Sequence, residues 1–133
     1  MQSLPKDPVL QVIAQSKDAN PRGDMFGGWL MGLMDLAGVI PIAREYQNEM
    51  ATAAVNSMQF LQPVFVNAHV AVTAEIKHVG NASIIVDVAI YATYQEDDQY
   101  KQVATAEIVY VAIAKFGQPT RWSRKPVNLT LDL

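Results

Sequence analysis

The chain has 133 residues, half of them hydrophobic and 17% charged, with a net charge of −3. That length suits a single domain with its own core, expected over residues 1–133 with 117–133 as a C-terminal tail. The negative balance leaves no basic field for a nucleic-acid backbone, and the absence of cysteine excludes disulfides and thiolate metal sites.

The first residues, MQSLPKDPVLQ, lack the apolar core of a signal peptide. A charge fraction below the globular norm of about 25% hints that some surface is covered by another chain. Residues 9–14 are a short apolar run after Pro5 and Pro8, a candidate first strand. The cluster SKDANPRGD, 16–24, is a loop. From Met25 to about Tyr46 the pattern reads as helix, with Asp24 as candidate N-cap. Apolar residues occupy nearly every face of it, so cover on all sides is expected. Asp35, Pro41 and several glycines argue against a membrane span. Pro41 removes a backbone donor and predicts a kink or break nearby. The resulting expectation is a cytoplasmic protein with no membrane partner.

After Asn48 the pattern turns to strand. Residues 51–60 are small or β-capable, and Gln62-Pro63 ends the run. In 68–79, Val70, Val72, Ala74 and Ile76 alternate with polar residues, and Gly80-Asn81 supplies a hairpin turn. Ile84, Val86, Val88 and Ile90 repeat the alternation. Residues 95–99, QEDDQ, read as a polar turn, and 102–116 as a last strand too apolar to have one face in water. The tail is basic and aperiodic. An α+β architecture follows, in which an antiparallel sheet wraps one long helix. One sheet cannot enclose such a helix; a second subunit could.

Asp35 lies about three turns into an apolar helix, and the positions three and four away carry no cation. A buried carboxylate needs a partner, water or a proton. It is either satisfied by backbone amides of a neighbouring loop or subunit, or catalytic. Asp24 reads as a cap, which does not conflict with a site role. Gly27 and Gly28 fall in the first helical turn, where free amides and the helix dipole could stabilise an oxyanion. There is no G-x-S-x-G, P-loop, G-x-G-x-x-G or H-E-x-x-H pattern. His69 and His78 read as solvent-facing or structural strand residues, so no metal is expected.

The run from Asn20 to Asp35, N-P-R-G-D-M-F-G-G-W-L-M-G-L-M-D, resembles the N-x-x-G-D-x-F-G-G-W-x-M-x-x-M-D signature of hot-dog acyl-CoA thioesterases. Residues 55–64 and 79–83 are similar to that family's second and third recurring segments, and the likeness spans roughly residues 8–120. It implies a hot-dog fold whose dimer forms one continuous sheet, with active sites at the seam and trimers of dimers common. It further implies that Asp35 activates water against a thioester carbonyl, that Asp24 reaches the same site from the opposite subunit, and that the Gly27-Gly28 amides polarise the carbonyl. Asn20 and Phe26 match within the same motif as substrate-binding positions. Ser57 and the turn region from Lys77 through Asn81 to Ser83 match positions along the coenzyme A channel. The implied reaction is hydrolysis of an acyl-CoA to a free acid and coenzyme A, with no cofactor beyond the coenzyme of the substrate. Two departures stand out. Pro41 falls where relatives continue an unbroken helix. Asn81 sits where relatives often carry a basic residue, so phosphate binding is expected to be weaker there or supplied by Arg121, Arg124 or Lys125. The alternatives are a hot-dog hydratase, disfavoured because the loop and helix hold no histidine, and a non-catalytic acyl-CoA-binding or regulatory domain.

Overall fold

The computed structural model describes residues 4–5, 7–94 and 99–126. Strand β1 (Leu10–Ile13) leads through a loop to helix α1 (Gly27–Glu45), followed by β2 (Glu49–Phe60), β3 (His69–Val79), β4 (Ser83–Thr93) and β5 (Lys101–Ile113). The five strands form one antiparallel sheet in the order β1-β3-β4-β5-β2. The turn expected at residues 95–99 lies, but for Gln99, outside the described residues.

Alternation decides which face meets the helix. Val70 and Val72 on β3, Ile84, Val86, Val88 and Ile90 on β4, and Ala104, Ala106, Ile108 and Tyr110 on β5 are all buried. Intervening residues such as Thr73, Glu75, Asp87 and Glu107 fall on the other face, as period two requires. Strand β5 therefore alternates between buried and half-buried positions rather than being closed on both faces. The Gly80 amide donates to the Ser83 carbonyl at 2.7 Å and closes the β3–β4 hairpin where Gly80-Asn81 predicted it.

The helix lies across β3, β4 and β5. Its buried residues, Leu30, Met34, Ala37, Gly38 and Ile42, form one stripe at helical spacing. Expected cover on all faces is corrected: Met31 is 41% exposed and Leu36 57%. The sheet of one chain reaches only one side of the helix. Two further expectations change. The N-cap is Phe26, with no side-chain cap, because Asp24 and Met25 are still extended in bridges to Phe65 and Ala19. The helix also continues through Pro41 to Glu45 rather than breaking there.

Gly38 is a packing requirement. A Cβ there would collide with the Tyr110 hydroxyl and stand 2.9 Å from ring atoms Cε2 and Cζ. Tyr110 is fully buried, so the ring has nowhere to retreat. Beyond β5, the chain returns along the sheet end: the Trp122 amide donates to Asn81 O at 3.3 Å, and the Lys125 amide to Glu45 O at 2.8 Å. Trp122 meets the Tyr46 ring edge-on with centroids 5.5 Å apart. The aperiodic tail is thus, through residue 126, a strap across the helix C-terminus.

Alanine is a better helix former than glycine by about 1 kcal/mol, yet overpacking a closed core costs about 1–3 kcal/mol and sometimes more. Gly38→Ala is therefore expected to lower the urea unfolding midpoint despite its helix propensity. A midpoint equal to or above wild type would show that the ring can move aside.

Candidate active site

The open stripe of α1 runs through Gly28, Met31, Gly32, Asp35 and Leu36, the i, i+3, i+4, i+7 spacing of one helix face. Asp35 is thus half-buried on the side away from the sheet core, beside one of the two edge strands, β2. Its carboxylate is met there: Thr52 Oγ1 donates to Asp35 Oδ1 at 2.6 Å. A second bond reaches its main chain, where the Tyr110 hydroxyl donates to the Asp35 carbonyl oxygen at 2.6 Å. Thr52 and Tyr110 are directly paired across β2 and β5. Burial, then the negative charge and hydrogen bond of Asp35, push the Tyr110 phenol far above its ordinary pKa of 10.0. It therefore stays a donor throughout the physiological range.

Thr52 is the partner of Asp35 that the sequence pattern does not mark. Its local signal is faint: it is the lone hydroxyl in the run from Met50 to Val55. Only the pairing of β2 beside the helix, 17 residues away from Asp35, reveals the contact.

The loop before α1 builds a second cluster. A groove of about 710 Å³ is lined by Asn20, Arg22, Asp24, Phe26 and Gly27 on one side and by Phe60 to Val64 on the other. The Phe60 ring lies over Gly27, where a Cβ would stand 3.4 Å from Cζ, and Phe26 is 53% exposed at the rim. Trp29 and Leu30 donate their amides to Phe26 O. The amides of Gly27 and Gly28 lie within that first turn and have no acceptor among the described residues. Asp24 faces Arg22, with Nε 3.3 Å from Oδ1. The Asn20 side chain holds the Asp24 carboxyl below its ordinary value, with help from the Arg22 guanidinium and against a partial desolvation.

These two clusters are separate within one chain. Gly27 and Asp35 are eight residues apart on one helix, about 12 Å of rise, and Asp24 lies further out still. Asn20, Asp24, Phe26, Gly27 and Gly28 come together at the helix start; Asp35 stands alone with Thr52. The remaining candidates lie elsewhere. Lys77, the extra residue of a bulge between Ile76 and His78, is ion-paired with Glu107 on the sheet face opposite the helix. That pair, with Asp87 nearby, raises the lysine's pKa. Ser57 sits in the bulge of β2 at φ 53° and lines the cleft that also holds Glu75, Asp87 and Glu107. Asn81 lies in the β3–β4 turn, where the strap engages its carbonyl, and Ser83 opens β4. Of the basic tail residues, Arg124 stands 3.7 Å from Glu45 and over the Tyr46 ring at 5.1 Å. Among the described residues no group of three or more histidine, aspartate or glutamate side chains could hold a metal ion, and no helix is long and apolar enough to cross a membrane.

A carboxylate whose folded pKa is depressed adds stability above its unfolded pKa, and that contribution is lost as pH falls through the lower folded value. Asn20→Ala is expected to raise the Asp24 pKa towards 3.8, read by carboxyl carbon chemical shift against pH. An unmoved midpoint would show that Asn20 does not hold the charge.

Residues 22–98 match the family model of the thioesterase superfamily. The acyl-CoA thioester hydrolase YciA of Salmonella typhimurium is 34% identical over 115 residues, covering 84% of this chain and 86% of the relative. A hexameric thioesterase of Yersinia pestis superposes with a TM-score of 0.83 at 34% identity, over 91% of this chain and 99% of that one. A hexameric hotdog fold thioesterase of Campylobacter jejuni gives 0.79 at 30% identity, over 87% and 90%. One helix laid on a five-stranded antiparallel sheet, together with a family match over more than half of its length, makes this chain a hot-dog-fold member of the thioesterase superfamily.

Proposed function

We propose that the protein hydrolyses acyl-CoA thioesters at a site shared between two copies of the chain, with Asp35 as the acid–base group. The observation that carries this reading is the Asp35–Thr52 pair, held on an open helix stripe beside an unpaired strand edge. Strand β2 runs for 12 residues, Glu49–Phe60, and among the described residues pairs only with β5. Its Val55 is exposed, as are Met31 and Leu36 on the helix. A long edge that bears exposed apolar side chains invites pairing with another chain, and a two-fold axis makes such a contact self-complementary. Antiparallel β2 edges then extend the sheet and lay the two helices antiparallel. That carries the helix start of one protomer, with Asp24 and the Gly27-Gly28 amides, towards Asp35 of the other. The two clusters that are apart in one chain thereby become one site, formed twice per dimer. Larger homo-oligomers of such dimers accord with the hexameric relatives.

In that site the acyl chain takes the groove beside Phe26, Phe60 and Leu61, with the thioester carbonyl oxygen at the Gly27-Gly28 amides. Thr52 occupies Oδ1 of Asp35 and leaves Oδ2 to accept a proton from water. The water oxygen bonds to the carbonyl carbon, whose oxygen becomes the oxyanion stabilised by the helix N-terminus. Collapse breaks the C–S bond, and the proton held by Asp35 passes to the coenzyme A thiolate. Direct attack by the carboxylate, giving an anhydride that water then opens, uses the same residues.

The experiment is thiol release from a panel of acyl-CoAs. Asp35→Asn is expected to lower kcat by about 10²–10⁴ while the oligomer survives, and Asp24→Asn to cost less. Thiol release at the wild-type rate by Asp35→Asn would remove it from the chemistry, and tight acyl-CoA binding without thiol release by the wild-type chain would point to a binding domain. Co-expression of Asp24→Ala and Asp35→Asn chains tests the sharing. Statistical assembly restores one complete site in each mixed dimer, so about a quarter of full activity returns. No recovery would place each site within one chain.

A further inference from the structure

We propose that Tyr110 is a positioning residue for this reaction, fixing where the Asp35 carboxylate stands by holding the helix turn that carries it. The proposal rests on the hydrolase reading above. A buried tyrosine ordinarily needs some acceptor, but here the acceptor is the main-chain carbonyl of Asp35 itself, 2.6 Å from the phenol oxygen. That carbonyl is interior to α1 (Gly27–Glu45) and has a helical amide available four residues on, so the phenol bond is additional to the helix ladder. The ring enters a notch that exists only because residue 38 is glycine, one turn beyond Asp35.

The cross-strand register makes this more than core packing. Tyr110 pairs directly with Thr52, and Thr52 holds the Asp35 carboxylate. One rung of the β2–β5 ladder thus grips both ends of the residue: β5 takes the main chain and β2 the side chain. The register shifts immediately afterwards, between Thr52 and Ala54. Neighbouring rungs therefore do not repeat the arrangement. With only the Thr52 bond, the carboxylate could follow any small slide or rotation of the helix on its smooth apolar stripe. A misplacement of about 1 Å can cost about 10²-fold in rate. The phenol, held protonated by its burial, blocks that movement.

The test compares Tyr110→Phe with the wild-type chain in the thiol-release assay. The ring and the notch are kept and only the donor is lost. The expected result is a kcat lower by about tenfold to a hundredfold with KM within about twofold, because the acyl groove at the helix start is untouched. A purely structural role would lower the melting temperature and leave kcat alone, and that outcome overturns the proposal. The isosteric pair 4-aminophenylalanine and 4-methylphenylalanine, incorporated at position 110, provides the rescue and remains available if Tyr110→Phe does not fold. Turnover should return with the amino donor and not with the methyl group, and equal turnover of the two overturns the proposal. Combining Tyr110→Phe with Thr52→Val should cost less than the sum of the separate losses, since both act on one carboxylate; strict additivity overturns the shared grip. A wild-type chain that releases no thiol from any acyl-CoA would instead defeat the hydrolase reading, and this proposal with it.

Discussion

The structure turns on a carboxylate held at two points. Asp35 rides on a helix whose other contacts to the sheet are apolar and therefore undirected, since burial of hydrocarbon fixes distance better than rotation. Two hydrogen bonds supply the missing direction, one from Thr52 to the side chain and one from Tyr110 to the main chain. The rest of the core serves that arrangement. Gly38 gives the Tyr110 ring its place, and the buried stripe from Leu30 to Ile42 turns the opposite stripe, with Asp35 on it, outwards.

The outward stripe and the β2 edge are two halves of one demand. A chain that leaves Met31, Leu36 and Val55 exposed, with the outer edge of the 12-residue strand β2 unpaired among the described residues, has apolar area and backbone groups without a protein partner. In the proposed dimer a second copy covers both, and the same contact brings the helix start of one chain towards the middle of the helix of the other. On that proposal catalysis and assembly are not separable, since the contact that extends the sheet also completes the site.

The expected site positions divide along physical lines. Asn20, Asp24, Phe26, Gly27 and Gly28 are local to one loop and one helical turn, and the structure gathers all but Gly28 in the lining of one groove. Ser57 and Lys77 both sit at bulges, where the extra residue breaks the alternation by which a strand side is read. Lys77 is consequently engaged with Glu107, on the sheet face away from the helix.

Local features were legible in one dimension. Period-two alternation in residues 68–79 and 83–93, glycine at the hairpin turn and the apolar run after residue 25 each encode their element in neighbouring residues, and the elements appear within a few positions of their expected bounds. The sequence also marked Asp35, because a carboxylate in an apolar helix is conspicuous. What that carboxylate touches depends on the fold. Thr52 is 17 residues away and Tyr110 75, and nothing in their immediate surroundings distinguishes them from other strand residues. The cap moved from Asp24 to Phe26 for the same reason, since bridges to distant residues kept positions 24 and 25 extended. A short-range pattern fixes the shape of an element; which of its faces is used, and what meets it, depends on contacts that exist only after the chain has folded.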